Sequence, residues 1–421
     1  MKKKRSLKRE CHIFRMLQAN AKAKHLSFHT PGHKRGKWDI TELPYSDNLA
    51  APHGCIAKAE EDITSILGAY KSFILTDGST SGVLSMLYAA RLWGVKTLAF
   101  PLATHKSVYN GCALLGITPL VFEKHEEWLT NATWRKQADG VLCTSPDYYG
   151  NIPNLTAIRT LCEAEKKLLL IDGAHGGHLH FEKTLYAGTY ADLWVDGVHK
   201  SLPALTQGAV VSARTEKLSE YLREAVNIFR TTSPSYPIMA SVEYAVKYPK
   251  NERLENDVSA YAKEEERVRL REDYTKLTAL FGKNAFDAYA FMQSKGIYAE
   301  FCDGNEICFY LSPATKARDF RRLKKMLKSA FERFPYLPVN ELERNPIPVG
   351  FRKEGEVEWV DFTESIGKIC AGNCGLFPPC TPLICVGERI TEEKIELLQK
   401  ADHVFGVKNG KIAVWKGEEK E

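Results

Sequence analysis

The 421-residue sequence predicts an α/β fold with a mostly parallel sheet flanked by helices, followed by a smaller C-terminal α+β domain. Short apolar runs recur along the first half of the chain and are typical of buried parallel strands. They lie at residues 72–76, 97–101, 140–144, 168–171 and 193–195. Helical patterns separate them at βαβ spacing. Polar residues repeatedly follow the runs, at the position where open parallel sheets bind ligands.

Composition and charge exclude several classes of protein. The hydrophobic content of 44% and the charged content of 26% are typical of a soluble globular chain. The net charge of +6 arises within the first nine residues, which carry six cations and no acid. We expect this basic tail to be solvated and disordered. Because the remainder of the chain is balanced, the sequence predicts no nucleic-acid partner.

Apolar runs and cysteines indicate the compartment. No apolar run approaches the ~20 residues of a membrane span, and the N-terminus lacks the apolar region of a signal peptide. We therefore predict a cytoplasmic protein without membrane contact. The eleven cysteines are scattered, which favours reduced thiols. Cys370, Cys374, Cys380 and Cys385 cluster, but their spacing matches no CxxC pair, so we predict no metal site.

Two residues at strand ends suggest a cofactor site. Lys200 lies between two apolar segments, where desolvation lowers the pKa of an ammonium group, as a Schiff-base nucleophile requires. Asp172 directly follows the buried run at 168–171. Such a pair suits pyridoxal phosphate, because the aspartate holds the pyridine nitrogen protonated while the lysine forms an aldimine. Taken singly, each has a plainer interpretation, Lys200 as a surface lysine and Asp172 as a helix cap.

A turn of small residues at 77–82 supplies a third element. It joins a predicted strand to a predicted helix, so the backbone N–H groups of the helix start and the hydroxyls of Ser79, Thr80 and Ser81 can face one anion. This pattern alone is weak, since such turns also serve as ordinary helix caps. Beside Asp172 and Lys200 it predicts the site of the cofactor phosphate.

Further polar and aromatic residues follow other predicted turns and strands. His33 lies in a Pro-Gly turn crowded with cations, which fits an active-site loop and a solvated surface about equally. His105 follows the run at 97–101 and is placed to stack on a planar cofactor, although a lone histidine is more often structural. Tyr148 and Tyr149 follow the run at 140–144 and are candidates to line a ligand cleft.

The sequence predicts three regions. Residues 1–26 form a basic N-terminal tail and a helix over 11–24, residues 27–265 form the large domain, and residues 266–421 form the small domain. The charged segment at 247–271 is expected to form exposed helices that join the two domains. In the small domain we predict strands at 295–300, 306–311 and 411–415, a basic amphipathic helix over 317–334, and an irregular loop over 375–391.

Nine segments, taken in order, resemble one protein family. They are FHTPGHKRG, TDGSTSG, HKSVYNG, SPDYYGNIPNL, IDGAHGGH, ADLWVDGVHKSLPALTQGA, TTSPSYPIMAS, KGIYAE and FPPCTPLICVGERIT. Together they resemble the bacterial Orn/Lys/Arg decarboxylases of pyridoxal phosphate fold type I, over about residues 27–391. The resemblance implies a seven-stranded-type large-domain sheet and decarboxylation of arginine, lysine or ornithine to a polyamine-type amine. We expect a short member without the N-terminal wing domain of the long decarboxylases.

The resemblance also implies a role for each matching residue. Lys200 resembles the Schiff-base lysine that forms the aldimine, and Asp172 the partner of the pyridinium nitrogen. His105 and Ala174 correspond to the two faces of the cofactor ring. The remaining residues correspond to phosphate ligands (Ser79, Thr80, Ser81 and His199), to a loop that reaches a neighbouring subunit's cofactor (Ser233 and Ser235), and to substrate contacts (Glu388, Tyr149 and His33). A homodimer or higher homo-oligomer follows.

Departures from the family pattern leave alternatives open. Gly197 and Val198 replace a small hydroxyl residue followed by Ala or Thr, which predicts the loss of one phosphate hydrogen bond. Cys380 replaces a glycine, and Gly372 an acid. These changes suggest a homologue that binds the cofactor with little catalytic activity. An aminotransferase or lyase on the same scaffold is a further alternative, with Arg352 or Arg389 holding the substrate carboxylate.

Overall fold

The computed structural model describes residues 2–23, 25–34, 37–339, 356–377 and 380–416, with residues 2–5 described by their backbone alone. The strands are β1 (Lys71–Leu75), β2 (Thr97–Pro101), β3 (Thr118–Phe122), β4 (Gly140–Thr144), β5 (Leu168–Gly173), β6 (Leu193–Asp196), β7 (Ala209–Ala213), β8 (Val268–Leu270), β9 (Lys276–Leu280), β10 (Phe301–Cys302), β11 (Glu306–Tyr310), β12 (Val357–Asp361), β13 (Gly375–Leu376), β14 (Val404–Phe405), β15 (Val407–Lys408) and β16 (Lys411–Trp415).

The helices are α1 (Lys2–Glu10), α2 (His12–Lys22), α3 (Cys55–Leu67), α4 (Gly78–Trp93), α5 (Lys106–Leu115), α6 (His125–Thr130), α7 (Ala132–Gln137), α8 (Leu155–Ala164), α9 (Ala187–Tyr190), α10 (Val198–Ser201), α11 (Glu216–Phe229), α12 (Tyr236–Val246), α13 (Glu252–Glu264), α14 (Ala285–Ser294), α15 (Ala317–Arg333), α16 (Phe362–Ser365) and α17 (Glu392–Lys400). A short 3-10 helix covers Gly177–Phe181. None of the helices in the described part of the chain is long and apolar enough to cross a membrane.

Seven strands form the large sheet, in the order β1-β7-β6-β5-β4-β2-β3. Strands β3, β2, β4, β5 and β6 pair in parallel, and β7 is antiparallel to both of its neighbours, β6 and β1. The central strands are buried along their whole length, as expected of a sheet covered on both faces. The predicted mostly parallel sheet is therefore confirmed.

Helices cover both faces of this sheet because successive side chains of each strand point to opposite sides. On β5, Leu168 and Leu170 pack into one apolar core together with α4, α5 and α11. Leu169 and Ile171 pack into a second core together with α2, α3, α8 and α12. The sheet is thereby held between two helical layers, and the ends of its strands stay open to ligands.

The remainder of the chain builds smaller layers. The antiparallel sheet β10-β11-β9-β8 packs against α13, α14 and α15 around its own apolar core. A C-terminal unit combines the sheet β12-β16-β15 with α17 around another core. In that core the carboxylate of Glu388 forms a buried ion pair with Lys394. An α+β region thus follows the large sheet, as the sequence predicts.

Three local expectations were wrong. Residues 295–300 form no strand, because α14 extends to Ser294, the chain then turns through Gly296 at φ +70°, and β10 begins only at Phe301. The charged segment at 247–271 contributes one helix, α13, and then the strand β8. The basic tail forms α1 instead of a disordered segment. Its last residue, Glu10, accepts a hydrogen bond from Lys247 Nζ at 3.2 Å through its carbonyl oxygen.

The close approach of α4 to the sheet generates a stability prediction. A Cβ atom at Gly82 would lie 2.5 Å from Val195 Cγ2 and 2.9 Å from Leu75 Cδ1, inside a filled core. Overpacking of this kind costs roughly 1–3 kcal/mol. Gly82→Val is therefore expected to lower the urea midpoint of unfolding. Arg91→Val, at an exposed position of the same helix, is the control and should leave the midpoint nearly unchanged. Equal midpoints for the two variants would contradict the packing described here.

Candidate active site

Strand ends of the large sheet converge on one cleft. Because β1, β2, β4, β5 and β6 run in the same direction, the residues that follow them lie at one edge, joined there by the residues that precede the antiparallel β7. The cleft has a volume of about 190 Å³. It is lined by Gly78, Ser79, Thr80, Val83, His105, Ser107, Thr144, Tyr148, Asp172, Ala174, His175, His199, Lys200, Thr206 and Gln207.

Lys200 lies on the one-turn helix α10, directly after β6. Its Nζ is 3.2 Å from Nε2 of His175. Burial lowers the pKa of the Lys200 ammonium group, and the nearby carboxylate of Asp172 opposes that shift. A lowered pKa increases the fraction of neutral amine, which is the nucleophilic form. The structure thus gives this lysine the environment that a carbonyl-binding amine requires.

Asp172 lies near the end of β5 and is 3% exposed. Its Oδ1 accepts a hydrogen bond from the backbone N–H of Ala174 at 3.1 Å. Burial raises the pKa of the Asp172 carboxyl group, whereas Lys200 and that backbone hydrogen bond lower it. Burial disfavours the charged forms of Lys200 and Asp172, and each charged group reduces the cost of charging the other inside the cleft.

His105 immediately precedes α5 and forms part of the cleft wall. Its Nδ1 accepts a hydrogen bond from the backbone N–H of Ser107 at 3.1 Å and lies 2.7 Å from the Ser107 hydroxyl. Burial, together with Lys200 and Lys106, lowers the pKa of His105 to about 4. The ring is consequently neutral at physiological pH, and a neutral planar ring can stack on an aromatic ligand.

The turn before α4 forms a cradle for an anion. The Ser79 hydroxyl is buried and has no hydrogen-bond partner among the described residues. It lies beside Gly197, where an added Cβ would be 2.7 Å from Ser79 Oγ and 2.3 Å from the carbonyl oxygen of Ala174. A side chain at residue 197 therefore does not fit here, and the Ser79 hydroxyl occupies that space. Together with the N–H groups that begin the 16-residue α4, this arrangement suits a phosphate.

Other predicted cofactor ligands differ in their placement. Thr80, Ala174 and His199 line the cleft, and His199 Nδ1 is 3.0 Å from the carbonyl oxygen of Gly208. Ser81 does not line it, because its hydroxyl donates to the carbonyl oxygen of Gly78 at 3.0 Å. The hydroxyls of Ser79 and Thr80 are thus the two from this turn that the cleft can use.

The predicted substrate contacts lie outside the cleft. Tyr149 donates its hydroxyl to Asp303 at 2.6 Å, and its neighbour Tyr148 lines the cleft instead. His33 is exposed, with Nε2 2.9 Å from Asp39 Oδ2. Glu388 is held in the C-terminal core, where its carboxylate pairs with Lys394 and accepts the N–H of Cys385 at 3.0 Å.

The residues assigned to the neighbouring subunit's site are also outside this cleft. Ser233 is exposed, and Ser235 is half-buried at the start of α12. Of the two arginines considered for a substrate carboxylate, Arg352 lies outside the described residues, and Arg389 donates to the carbonyl oxygen of Gly367. Their roles stay predictions.

Sequence reasoning gave no role to His175, which contacts Lys200. The ring of His175 packs between Tyr148, at a centroid distance of 4.6 Å, and Tyr310, at 5.5 Å. Burial, reinforced by Lys200 and Lys276, lowers its pKa well below the usual value. One signal was available, because His175 follows Asp172 by three residues at the same strand end. Its two tyrosine neighbours are distant in sequence, so the packing was not predictable.

A second buried acid lies beside the site. Asp196, the last residue of β6, is 1% exposed, and its Oδ2 accepts the hydroxyl of Tyr186 at 2.7 Å. Among the described residues its Oδ1 has no partner. Burial raises the pKa of Asp196 to about 7, and the hydrogen bonds to Tyr186 and Trp194 limit the rise. The folded protein therefore retains a proton here that the unfolded chain releases.

Known proteins resemble this chain in sequence and fold. The model of the Orn/Lys/Arg decarboxylase major domain matches residues 124–287. The uncharacterised protein YaaO of Bacillus subtilis is 26% identical over 97% of this chain and 99% of its own length. An arginine decarboxylase of Halalkalibacterium halodurans is 25% identical over 92% of each chain. The crystal structure of the Francisella novicida lysine decarboxylase superposes with a TM-score of 0.72 at 19% identity, covering 96% of this chain and 80% of that one. The predicted fold type is confirmed.

Asp196 generates a prediction about pH and stability. Its raised pKa makes the proton-bound form the favoured one in the folded state, so this contribution to stability is full below about pH 4 and is lost as the pH rises through about 7. Asp196→Asn should remove that loss. Relative to the parent protein, the variant should gain up to about 4 kcal/mol of unfolding free energy between about pH 4 and pH 8. Urea denaturation across this pH range measures the difference in unfolding free energy. If the two proteins show the same dependence of unfolding free energy on pH, the raised pKa of Asp196 is refuted.

Proposed function

Because the chain resembles the Orn/Lys/Arg decarboxylases in sequence, we propose that it decarboxylates arginine, lysine or ornithine to the corresponding amine. The comparisons support the predicted enzyme class, an amino-acid decarboxylase. Solved neighbours of the same fold carry pyridoxal phosphate, which supports it as the cofactor. One observation carries the proposal for this chain. A single cleft brings together the lysine with a lowered pKa, the buried aspartate, the neutral histidine and the phosphate cradle.

The residues of the cleft fit pyridoxal phosphate. In this proposal Lys200 holds the cofactor covalently, Asp172 pairs with its ring nitrogen, and His105 and Ala174 cover its two faces. Ser79 and Thr80, together with His199, hold the phosphate, and the unpartnered buried hydroxyl of Ser79 supports this assignment. The bound cofactor would supply an electron sink for decarboxylation of the substrate.

The chain's own residues prepare the chemistry. The buried carboxylate of Asp172 would hold a proton on the ring nitrogen of the bound cofactor and so keep the ring electron-poor. Burial lowers the pKa of Lys200, which increases the fraction of neutral, nucleophilic amine. The neutral imidazole of His175, 3.2 Å away, positions that amine and adds no positive charge that would repel a basic substrate. Tyr148 closes the cleft beside it.

We extend the proposal to the assembly and the cell. A homodimer or larger homo-oligomer in the cytoplasm would place Ser233 and Ser235 at a neighbouring subunit's cofactor. Leu26 and Phe28 support such an assembly, because they are 84% and 88% exposed and precede the Pro-Gly turn that includes His33. In this proposal residues 27–265 form the cofactor-binding domain, residues 266–421 form the small domain, and the product amine enters polyamine metabolism.

Amine production tests the function directly. The purified protein with pyridoxal phosphate is incubated separately with arginine, lysine and ornithine, and the products are identified by mass spectrometry. We expect agmatine, cadaverine or putrescine from one substrate, and none from Lys200→Ala, which loses the nucleophilic amine. Lys183→Ala, at an exposed lysine, is the matched control and should retain activity. A keto acid product would instead indicate an aminotransferase, and no product from any substrate would indicate a non-catalytic homologue.

A substitution at Asp172 distinguishes an effect on catalysis from an effect on cofactor binding. Asp172→Ala removes the charge that holds the ring nitrogen protonated, so turnover should fall by about 10²- to 10³-fold. Cofactor affinity should change much less, because the phosphate cradle and Lys200 are untouched. Titration of the visible absorbance of the bound cofactor measures affinity, and initial rates measure turnover. Asp287→Ala, at an exposed acid on α14, is the control. Equal losses in both quantities would argue against the role proposed for Asp172.

A further inference from the structure

One wall of the cleft contacts the small antiparallel sheet through a hydrogen bond and apolar packing. The carbonyl oxygen of Tyr148 accepts the hydroxyl of Tyr310 at 2.9 Å and lies 3.6 Å from Cys308 Sγ. Both partners belong to β11. Tyr148, Phe301 and Cys308 also share a small apolar core. The residues that begin this sheet are therefore held next to the cleft.

Glu300 directly precedes β10 at this junction. Its backbone N–H donates to the carbonyl oxygen of Cys308 at 2.9 Å, which continues the pairing of β10 with β11. The next residue, Phe301, packs edge-on against Tyr149 at a centroid distance of 5.2 Å. Glu300 itself is exposed. The main chain is thus fixed beside the cleft wall, while the side chain stays accessible to a ligand.

One of the two lysines that act on Glu300, Lys200, lines the cleft. Partial burial raises the pKa of its carboxyl group, and Lys200 and then Lys276 oppose that shift. Lys276 is fully buried and already bound, with Nζ 3.2 Å from Asp273 and 3.0 Å from the Thr275 hydroxyl. Lys200 is committed to the cofactor in the proposed function. Within the described residues, the Glu300 carboxylate forms no ion pair or hydrogen bond.

The other acids considered for the site already have partners. Asp172 faces the cofactor in the proposed function, Asp303 accepts the hydroxyl of Tyr149, and Glu388 pairs with Lys394. Glu300 differs from them because its carboxylate is accessible and unpartnered. The distal cation of a basic amino acid lies several ångströms beyond its reacting carbon, so the recognising charge must lie on the cleft wall and away from Lys200 itself.

We propose that Glu300 binds the distal ammonium or guanidinium group of the substrate and selects basic amino acids over neutral ones of the same length. This inference rests on the proposed function. It replaces Glu388 as the substrate-recognising acid and assigns the small sheet a part in specificity. The carboxylate accepts hydrogen bonds from the cation across the mouth of the cleft, next to Tyr148.

Equilibrium binding to the holoenzyme tests this without turnover. Calorimetry compares putrescine, cadaverine and agmatine with pentylamine, which lacks the distal cation. Parent protein should bind at least one of the three dications more tightly than pentylamine. Glu300→Gln should weaken that binding about tenfold and leave pentylamine unchanged. Glu332→Gln, at an exposed glutamate on α15, is the matched control and should bind like the parent.

The outcomes separate this inference from the proposed function. Unchanged dication binding by Glu300→Gln, or equal binding of dications and pentylamine by the parent, would overturn the role of Glu300 even if the parent forms amine. If the parent forms amine, Glu300→Gln should also raise KM for the preferred basic amino acid about tenfold, with little change in kcat. A fall in kcat at unchanged KM would likewise overturn it. If the parent forms no amine, the decarboxylase proposal fails, and the binding comparison still decides the role of Glu300.

Discussion

The site depends on the burial of one opposite-charge pair. Lys200 and Asp172 lie in one cleft, where burial shifts the pKa of each toward its neutral form while each charge opposes the shift of the other. Neither group would keep its charge if it were buried without the other. An isolated buried lysine would lose its charge, and an isolated buried aspartate would stay protonated. Their placement at the ends of neighbouring parallel strands, β5 and β6, fixes this balance in the backbone.

A second buried network ties the small sheet to the large one. Asp273 lies 2.8 Å from Nε2 of His178 and pairs with Lys276. Burial raises the pKa of Asp273, but these groups outweigh that effect and hold the pKa well below its usual range. Lys276 Nζ also lies 3.4 Å from the carbonyl oxygen of His175, the residue that contacts Lys200. A charge removed from such a network would leave its partner buried and uncompensated. The small sheet therefore contributes to the geometry of the cleft.

The departure at Gly197 has a steric explanation. In the family pattern a hydroxyl side chain stands at this position, but here the carbonyl of Ala174 and the hydroxyl of Ser79 fill that space. The hydroxyl that faces the cradle therefore comes from the start of α4 instead of from the segment before Lys200. The sequence indicated a lost phosphate ligand, because it showed the missing side chain but not which neighbouring groups fill that space.

The sequence by itself determined the fold class and the main strands of the large sheet. It also proposed Lys200, Asp172, His105 and Thr80 as candidate site residues, and the structure places all four in the lining of one cleft. These follow from local apolar runs and from polar residues at strand ends, which are short-range signals. Only the tertiary structure decided the contact of His175 with Lys200, the pairing of Glu388 with Lys394, and the hydrogen bond that joins the backbone of Glu300 to that of Cys308. Those contacts join segments that sequence patterns do not link, or depend on which rotamer packing allows, so no local pattern encodes them.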